Sequence, residues 1–482
     1  METKDLIGGA FFFVVTAIGV VLTCLSFRAR DAAFFLMLVL LAITFKIDVN
    51  FHSHYWYRGT TRGVEVSLVD VFAFCVLASS LLVPRPSESR FYWPASLGLM
   101  LLFIAYSCGN VFFSEPKVYG VFELSKMLRG IVFFLAAALF VRSERELAIF
   151  VFALCCAGCF EGVWALKQRL LDGIYRVPGT IDDPNSFSMY LCTISPIFVA
   201  AATSSLPRWL RWLSGLAIAL TTISIVLTIS RAGVAIFGFV MLAATALCVS
   251  WRLTPKKIAA VVLVLLCVSG LLFKQWELIK ARWSNDSLKK EYLSKTMPDS
   301  RGYYLRLARV IADDKFFGVG LNNWSYWVSK KYSALVPPYE PDEDYDNLVY
   351  APSKQLLPSF MYAAPAHNLA ALTIGELGLP GLAIFALVWF RWFQMGASFL
   401  LSRREDPMLR LGVGILFGLT GAFLQSMTEW VFRQTHIFLT LHIMLGTLAA
   451  LYAAKQRSKA AVAELTVEEA EEDFLQYEAT IG

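Results

Sequence analysis

His367 stands in the segment AAPAHNLAALTIGELGLPGLAIF, where a long polar stretch gives way to an apolar run. An imidazole titrates near neutrality, so at such a boundary it suits a general base acting on a hydroxyl. A core histidine satisfied by one hydrogen bond is the plainer alternative. Arg231 lies in TISRAG, a turn too short to carry it away from the apolar runs on either side. Its guanidinium is a planar fork of donors that matches phosphate oxygens; the plainer alternative is an arginine snorkelling at a membrane interface. Arg176 falls in YRVPGTIDDPNSFSMY, whose Pro, Gly, Asp and Asn mark ordered turns. The helix expected to begin near Ser186 would present an anion-favouring N-terminus there, while Asp182, Asp183 and Asn185 read equally well as its caps. Arg301 and Arg306 lie in DSRGYYLRLARVIADDKFFGVGLNNW. There Phe316–Asn322 has the glycine-rich form of a tight connection, a weak sign of phosphate approach by itself. Asn368 adjoins His367. Glu376 lies roughly two to three turns further on, and Glu429 near the end of a later apolar run. Each carboxylate needs a partner if it is in a membrane, such as one of these arginines. His52, His54, His436 and His442 read as structural.

The elements that must position these residues are membrane spans. The chain has 482 residues, 57% of them hydrophobic, with mean hydropathy +0.58; soluble domains sit nearer 45–50%. Apolar segments fall at 6–27, 32–45, 67–83, 93–113, 118–141, 147–166, 186–203, 210–229, 232–250, 258–273, 368–391, 411–431 and 435–454. Most match the roughly 17–25 residues that cross hydrocarbon as a helix, and in lipid such runs must be helical to satisfy their backbone. The second and tenth are short, so twelve spans are as well supported as thirteen. The first reads as a retained span rather than a cleaved signal. The expected fold is therefore all-α, a polytopic transmembrane bundle. Arg85/Arg90, Arg142/Arg145, Arg208/Arg211, Arg252/Lys256/Lys257 and Arg403/Arg404/Arg410 fall on one side with the tail basics Lys455, Arg457 and Lys459. The positive-inside rule makes that side cytoplasmic and puts 46–66, 167–185, the Ser230–Arg231 turn and the long loop 274–366 outside. The N-terminus has no assigned side, because the parity of the count is open.

The same reading divides the chain into an N-terminal bundle 1–273, an outer loop 274–366 with amphipathic helix spacing at Leu305, Leu307, Ala308, Val310 and Ile311, terminal spans 367–454 and an acidic tail 455–482. The loop also holds EPDEDYD at 340–346, either a solvated run or a hard-cation site. All nine cysteines lie in apolar runs, which argues against a disulfide framework. Cys155, Cys156 and Cys159 lack a fourth ligand and read as small hydrophobes. The net charge of +6 fits basic membrane-flanking loops, not a nucleic-acid surface. No nucleotide motif or metal cluster is evident, so no cofactor is expected.

In order, R-x-x-G…D-P-N before a span, S-R-A-G between two spans, a long outer loop with R…G-V-G, then A-H-N…G-E-L-G-L-P-G-L, the chain resembles the O-antigen ligase/polymerase superfamily. The motifs cover roughly Arg176 to Phe385, and the span pattern extends the likeness. The resemblance implies a GT-C-like membrane fold of about twelve spans in the bacterial inner membrane, with its site facing the periplasm. It implies a metal-independent, inverting glycosyltransferase. Its donor would be a glycan on undecaprenyl diphosphate, and its acceptor a hydroxyl of the lipid A core, another glycan or a protein. Carried over, Arg176, Arg231 and Arg301 would bind the diphosphate and His367 would activate the acceptor; Asn185, Arg306, Asn368, Glu376 and Glu429 would support them. EPDEDYD and MTEWVFRQTH depart from the family pattern and leave the acceptor open. Within the enzyme class a polymerase is the alternative to a ligase. Outside it stands a transporter of lipid-linked sugars, although no internal repeat is visible.

Overall fold

The computed structural model describes residues 3–43, 48–54, 57–83, 91–181, 183–248, 280, 301–332, 363–400 and 406–481. The expected span 258–273, Asp182, Cys267 and the EPDEDYD run lie outside these residues. The chain is an all-α bundle. Its helices are α1 (Thr3–Leu25), α2 (Phe27–Ala42), α3 (Leu68–Leu82), α4 (Leu97–Phe113), α5 (Lys117–Phe140), α6 (Glu144–Leu170), α7 (Pro184–Ala202), α8 (Arg208–Thr228), α9 (Arg231–Cys248), α10 (Arg301–Asp314), α11 (Leu369–Ala397), α12 (Pro407–Ser426) and α13 (Thr435–Ile481). Among the described residues, eight helices are long and apolar enough to cross a membrane, and Leu68–Leu82 and Leu97–Phe113 are shorter apolar helices. Large apolar side chains such as Phe13, Trp212, Leu242 and Phe390 point outward, as expected where the solvent is lipid rather than water.

Local signals start the helices where the sequence places them. Capping boxes at Ser67/Asp70 and Ser143/Glu146 begin α3 and α6. Asp183 caps α7, its carboxylate accepting from Ser186 N at 2.7 Å, and Pro184 opens the first turn. Of the expected capping candidates, then, Asp183 does that work, leaving Asn185 for another role. One element was not anticipated. Residues of the 46–66 segment form an antiparallel hairpin, β1 (Asp48–Phe51) with β2 (Val64–Ser67), in which Asp48 pairs with Ser67. The hairpin is polar at its tip and too short to stand out in a helical reading. It packs near Gly8 and Gly9, so the N-terminal end of α1 lies at the same end of the bundle as the hairpin.

The centre of the bundle is α7, which contacts α8, α9 and α12 and is buried along most of its length. The α7–α12 contact is backbone to backbone. A Cβ on Gly418 would sit 2.2 Å from Thr193 O, so only glycine lets the helices approach this closely. This packing fixes the C-terminal end of α12 beside the N-terminal end of α7.

α11 is interrupted. Gly378 has φ 69° and ψ −173°, and Pro380 follows. Backbone groups freed in a membrane must find partners within the protein, and segment 316–320 supplies them. Val319 N donates to Gly375 O and Gly320 N to Glu376 O, both at 2.9 Å, and Leu379 N donates to Phe316 O at 3.2 Å. A Cβ on Gly378 would meet Phe316 O at 2.0 Å. The glycines of FFGVG thus serve this docking. Behind the break lies a buried ionic network. Arg433 Nη1 donates to Glu376 Oε2, and Lys126 Nζ donates to Glu123 Oε2 at 2.8 Å and to Arg433 O at 2.7 Å. The hydroxyl of Thr60 also reaches Glu123, at 2.7 Å. Asn322 joins the same region to the hairpin, accepting from Thr60 N and donating to Thr61 O, each at 2.8 Å.

Removing one member of such a pair leaves a buried charge uncompensated. Arg433→Ala is expected to destabilise the protein by about 3–5 kcal/mol, whereas Glu376→Leu/Arg433→Met should lose clearly less. Thermal unfolding of the purified protein in detergent measures both. A single variant no worse than the double would refute the assignment of this pair as a mutually compensating one.

Candidate functional site

The candidate residues meet at one end of the bundle, because α6, α8 and α12 end there and α7, α9, α11 and α13 begin there. The turn between α12 and α13 carries Glu429, which is 3% exposed and takes three partners. Arg301 Nη2 donates to its Oε1 at 2.6 Å. Asn185 Nδ2 donates to the same oxygen at 3.2 Å. His367 Nδ1 lies 2.5 Å from Oε2. A carboxylate with two oxygens and several lone pairs can serve all three at once.

Each partner arrives on a different element. Arg301 is the first residue of α10, and its Nε also donates to Thr428 O at 3.2 Å. α10 is amphipathic as expected, with a shifted stripe: Leu307, Ala308 and Ile311 are buried together with Tyr303 and Tyr304, whereas Leu305 is exposed and Val310 half-buried, and the helix packs on α11. Asn368 caps α11, its Oδ1 accepting from Ala371 N at 2.8 Å. Its Nδ2 donates to Met427 O at 2.7 Å, so the cap also ties the start of α11 to the turn bearing Glu429. His367 is thereby held on the last residues before the helix, with the ring of Tyr304 5.6 Å from its own.

Asn185 extends the cluster. Its Oδ1 accepts from Arg176 Nη2 at 3.1 Å and from Ser230 Oγ at 3.2 Å, and its backbone carbonyl accepts from Gln425 Nε2 at 3.1 Å. Arg176 Nε also donates to Thr228 O at 3.4 Å. Arg231 follows Ser230 directly and is buried as the first residue of α9. The turn before it holds Ile229 at φ 52°, a conformation that β-branched residues rarely adopt and that recurs at functional sites.

His367, Arg301, Arg176, Asn185 and Glu429 therefore belong to one hydrogen-bonded assembly, with Asn368 bracing it and Arg231 one residue away along the chain. Two nominated residues stand apart. Arg306 is exposed on α10. Glu376 faces the other network, where its partner is Arg433 rather than any of the nominated arginines. The sequence reading treated Glu429 as a support, yet it is the group that the others share. Ser230, Gln425 and Tyr304 were not singled out. A signal for them was available in part: Glu429 and Arg433 are two charges one turn apart at the end of an apolar run, in the very segment that departs from the family pattern.

The cluster gathers the guanidinium groups of Arg176 and Arg301 and the imidazole of His367 around one carboxylate and its Asn185 relay, and the imidazole edge away from Glu429 is not engaged by it. Such a site can hold an anion and accept a proton next to it. No curated protein matches the chain. Residues 216–386, which include Arg231, Arg301, His367 and Asn368, match the family model described as O-Antigen ligase, a match over about a third of the chain that supports the resemblance its motifs carry.

Proposed function

We propose that the chain transfers a glycan from undecaprenyl diphosphate to an acceptor hydroxyl, of the lipid A core or a similar sugar, on the periplasmic face of the bacterial inner membrane. The observation that carries this reading is the Glu429 carboxylate shared between His367 and Arg301 beside the Arg176–Asn185 pair. Glu429 fixes the imidazole through Nδ1 and leaves Nε2 to take the acceptor proton. The acceptor oxygen attacks the anomeric carbon from the face opposite the diphosphate. The glycosidic C–O bond breaks, its electron pair leaves on the diphosphate, and configuration inverts. Arg176, Arg231 and Arg301 stabilise the charge that develops there. No nucleotide site is required, because the donor is a lipid.

Sidedness rests on charge. Arg142, Arg145, Arg208, Arg211, Arg410, Lys455 and Arg457 lie at the end of the bundle opposite the cluster, which supports a cytoplasmic assignment for that end. A reaction site near one surface, rather than a binding site at mid-membrane between repeats, favours an enzyme over a transporter.

Purified protein given an undecaprenyl-diphosphate glycan and candidate acceptors tests the reading directly. His367→Ala should lower turnover by about 10²–10⁴-fold with donor binding retained, whereas Arg231→Ala should weaken donor binding as well. Transfer should persist in EDTA. A His367→Ala protein within a few-fold of wild type would remove the histidine from the mechanism, and the product distinguishes ligation from chain extension.

Glu429→Gln isolates the orienting role. The amide keeps the shape but presents neutral groups to Arg301 and His367. Turnover should fall by roughly 10²-fold or more, as expected when a base loses the carboxylate that sets its tautomer, with a smaller change in KM. Equal turnover in the two proteins would mean that the carboxylate is only structural.

A further inference from the structure

Arg176 rides on a loop, residues 171–181, that leaves the surface after Tyr175 and dips back into the bundle. Val177, Gly179 and Ile181 are buried, and α6 supplies the partners their backbone needs. Arg169 Nη1 donates to Ile174 O at 3.1 Å and to Tyr175 O at 3.2 Å. Gln168 Nε2 donates to Gly179 O at 2.8 Å. Two helical turns deeper, Glu161 is fully buried and its Oε2 accepts from Thr180 N at 3.1 Å. Gly179 has φ 65°, and a Cβ there would fall 2.6 Å from Glu161 Oε2, so glycine is what lets the carboxyl reach the loop.

Among the described residues, every hydrogen bond of the Glu161 carboxyl goes to Thr180, and no cation lies within ion-pair distance. An isolated buried carboxylate is costly enough that the group neutralises instead. The hydrogen atoms can be counted independently. The Thr180 hydroxyl has one proton to give. Its oxygen lies 2.5 Å from Ala42 O, which can only accept, and it is also hydrogen-bonded to Glu161 Oε1. If the hydroxyl proton goes to Ala42 O, the contact with Oε1 needs a proton from the carboxyl. A single chain then accounts for these three contacts: Glu161 Oε1–H donates to Thr180 Oγ1, Thr180 Oγ1–H donates to Ala42 O at the end of α2, and Thr180 N–H donates back to Glu161 Oε2.

We propose that Glu161 is held as a neutral carboxylic acid and that in this form it is a positioning residue for Arg176, fixing the loop that presents that arginine to the donor diphosphate. The second half of this rests on the glycosyl-transfer reading above; the first half does not. The carboxylic acid acts as a donor–acceptor pair clamped across one residue of the loop. A glutamine has the same shape, one donor and one acceptor in the same places. An ionised carboxylate would set two acceptors against the hydroxyl and could not complete the chain.

Full-length purified protein tests both halves. Infrared spectra with ¹³C-labelled glutamate should show, at neutral pH, a protonated carboxyl C=O band that disappears in Glu161→Gln. Hydrogen exchange over residues 174–181 should be unchanged in Glu161→Gln and at least tenfold faster in Glu161→Ala and in Thr180→Val. Affinity for undecaprenyl diphosphate should stay within twofold of wild type in Glu161→Gln and fall about tenfold in Glu161→Ala. Absence of the protonated band overturns the neutral-acid assignment. Glu161→Ala with wild-type exchange and affinity overturns the positioning role. Wild-type protein that shows the band and the exchange pattern but does not bind undecaprenyl diphosphate would instead sink the glycosyl-transfer reading and leave the loop clamp standing.

Discussion

One carboxylate organises the functional end of this protein. Glu429 is nearly inaccessible, and in such a setting a lone negative charge is not tolerated. Its charge is met by Arg301, it is hydrogen-bonded to His367, and it is tied through Asn185 to Arg176. These residues come from the start of α10, the entry to α11, the start of α7 and the loop before α7. Three distant parts of the chain are thus drawn to the α12–α13 turn by the requirement that one buried anion be satisfied. The same requirement gives the imidazole a defined edge and the arginines defined directions, which is what a reaction site needs from its scaffold.

A second network lies one helical turn along the chain and has the same logic with a different result. Arg433 and Glu376 compensate each other, and Lys126 and Glu123 join them through the Arg433 carbonyl. Among the described residues, no histidine is hydrogen-bonded into this network. The network instead secures the break in α11, where the helix gives up its own hydrogen bonds and segment 316–320 replaces them. Because Glu429 and Arg433 share one short connection between α12 and α13, the stable network anchors the backbone on which the candidate site is built. The glycine-lined approach of α12 to α7 completes that placement, since it brings the same connection against Asn185.

Polar groups are therefore distributed by depth and by partner. Outward faces are rich in aromatic and aliphatic side chains, and the buried pairs Arg433–Glu376, Lys126–Glu123 and Arg301–Glu429 set charge against charge. In the re-entrant loop before α7 the carbonyls of Ile174 and Gly179 and the N–H of Thr180 are met by Arg169, Gln168 and Glu161, so these backbone groups of an irregular segment stay satisfied inside the bundle.

By itself the sequence determined the fold class, the places of most of the described helices, though not the full run of α13 to Ile481, and the membership of most of the cluster. Those properties follow from local quantities: apolar run length, capping residues such as Asp183, and ionisable side chains at the ends of runs. His367, Arg176, Arg231 and Arg301 were legible because charge beside lipid is expensive wherever it occurs. What the tertiary structure alone decided was who meets whom. Asn185 and Asp183 were equivalent as caps on paper, and only the approach of α12 gave Asn185 a second task. Glu376 and Glu429 were equivalent as buried acids until packing assigned one to Arg433 and the other to Arg301 and His367. The glycines of FFGVG gave a weak sign of phosphate approach, and in the structure they let segment 316–320 dock on the break in α11. Pairing across more than a hundred residues depends on which helix faces touch, and that is set by long-range packing that no local pattern encodes.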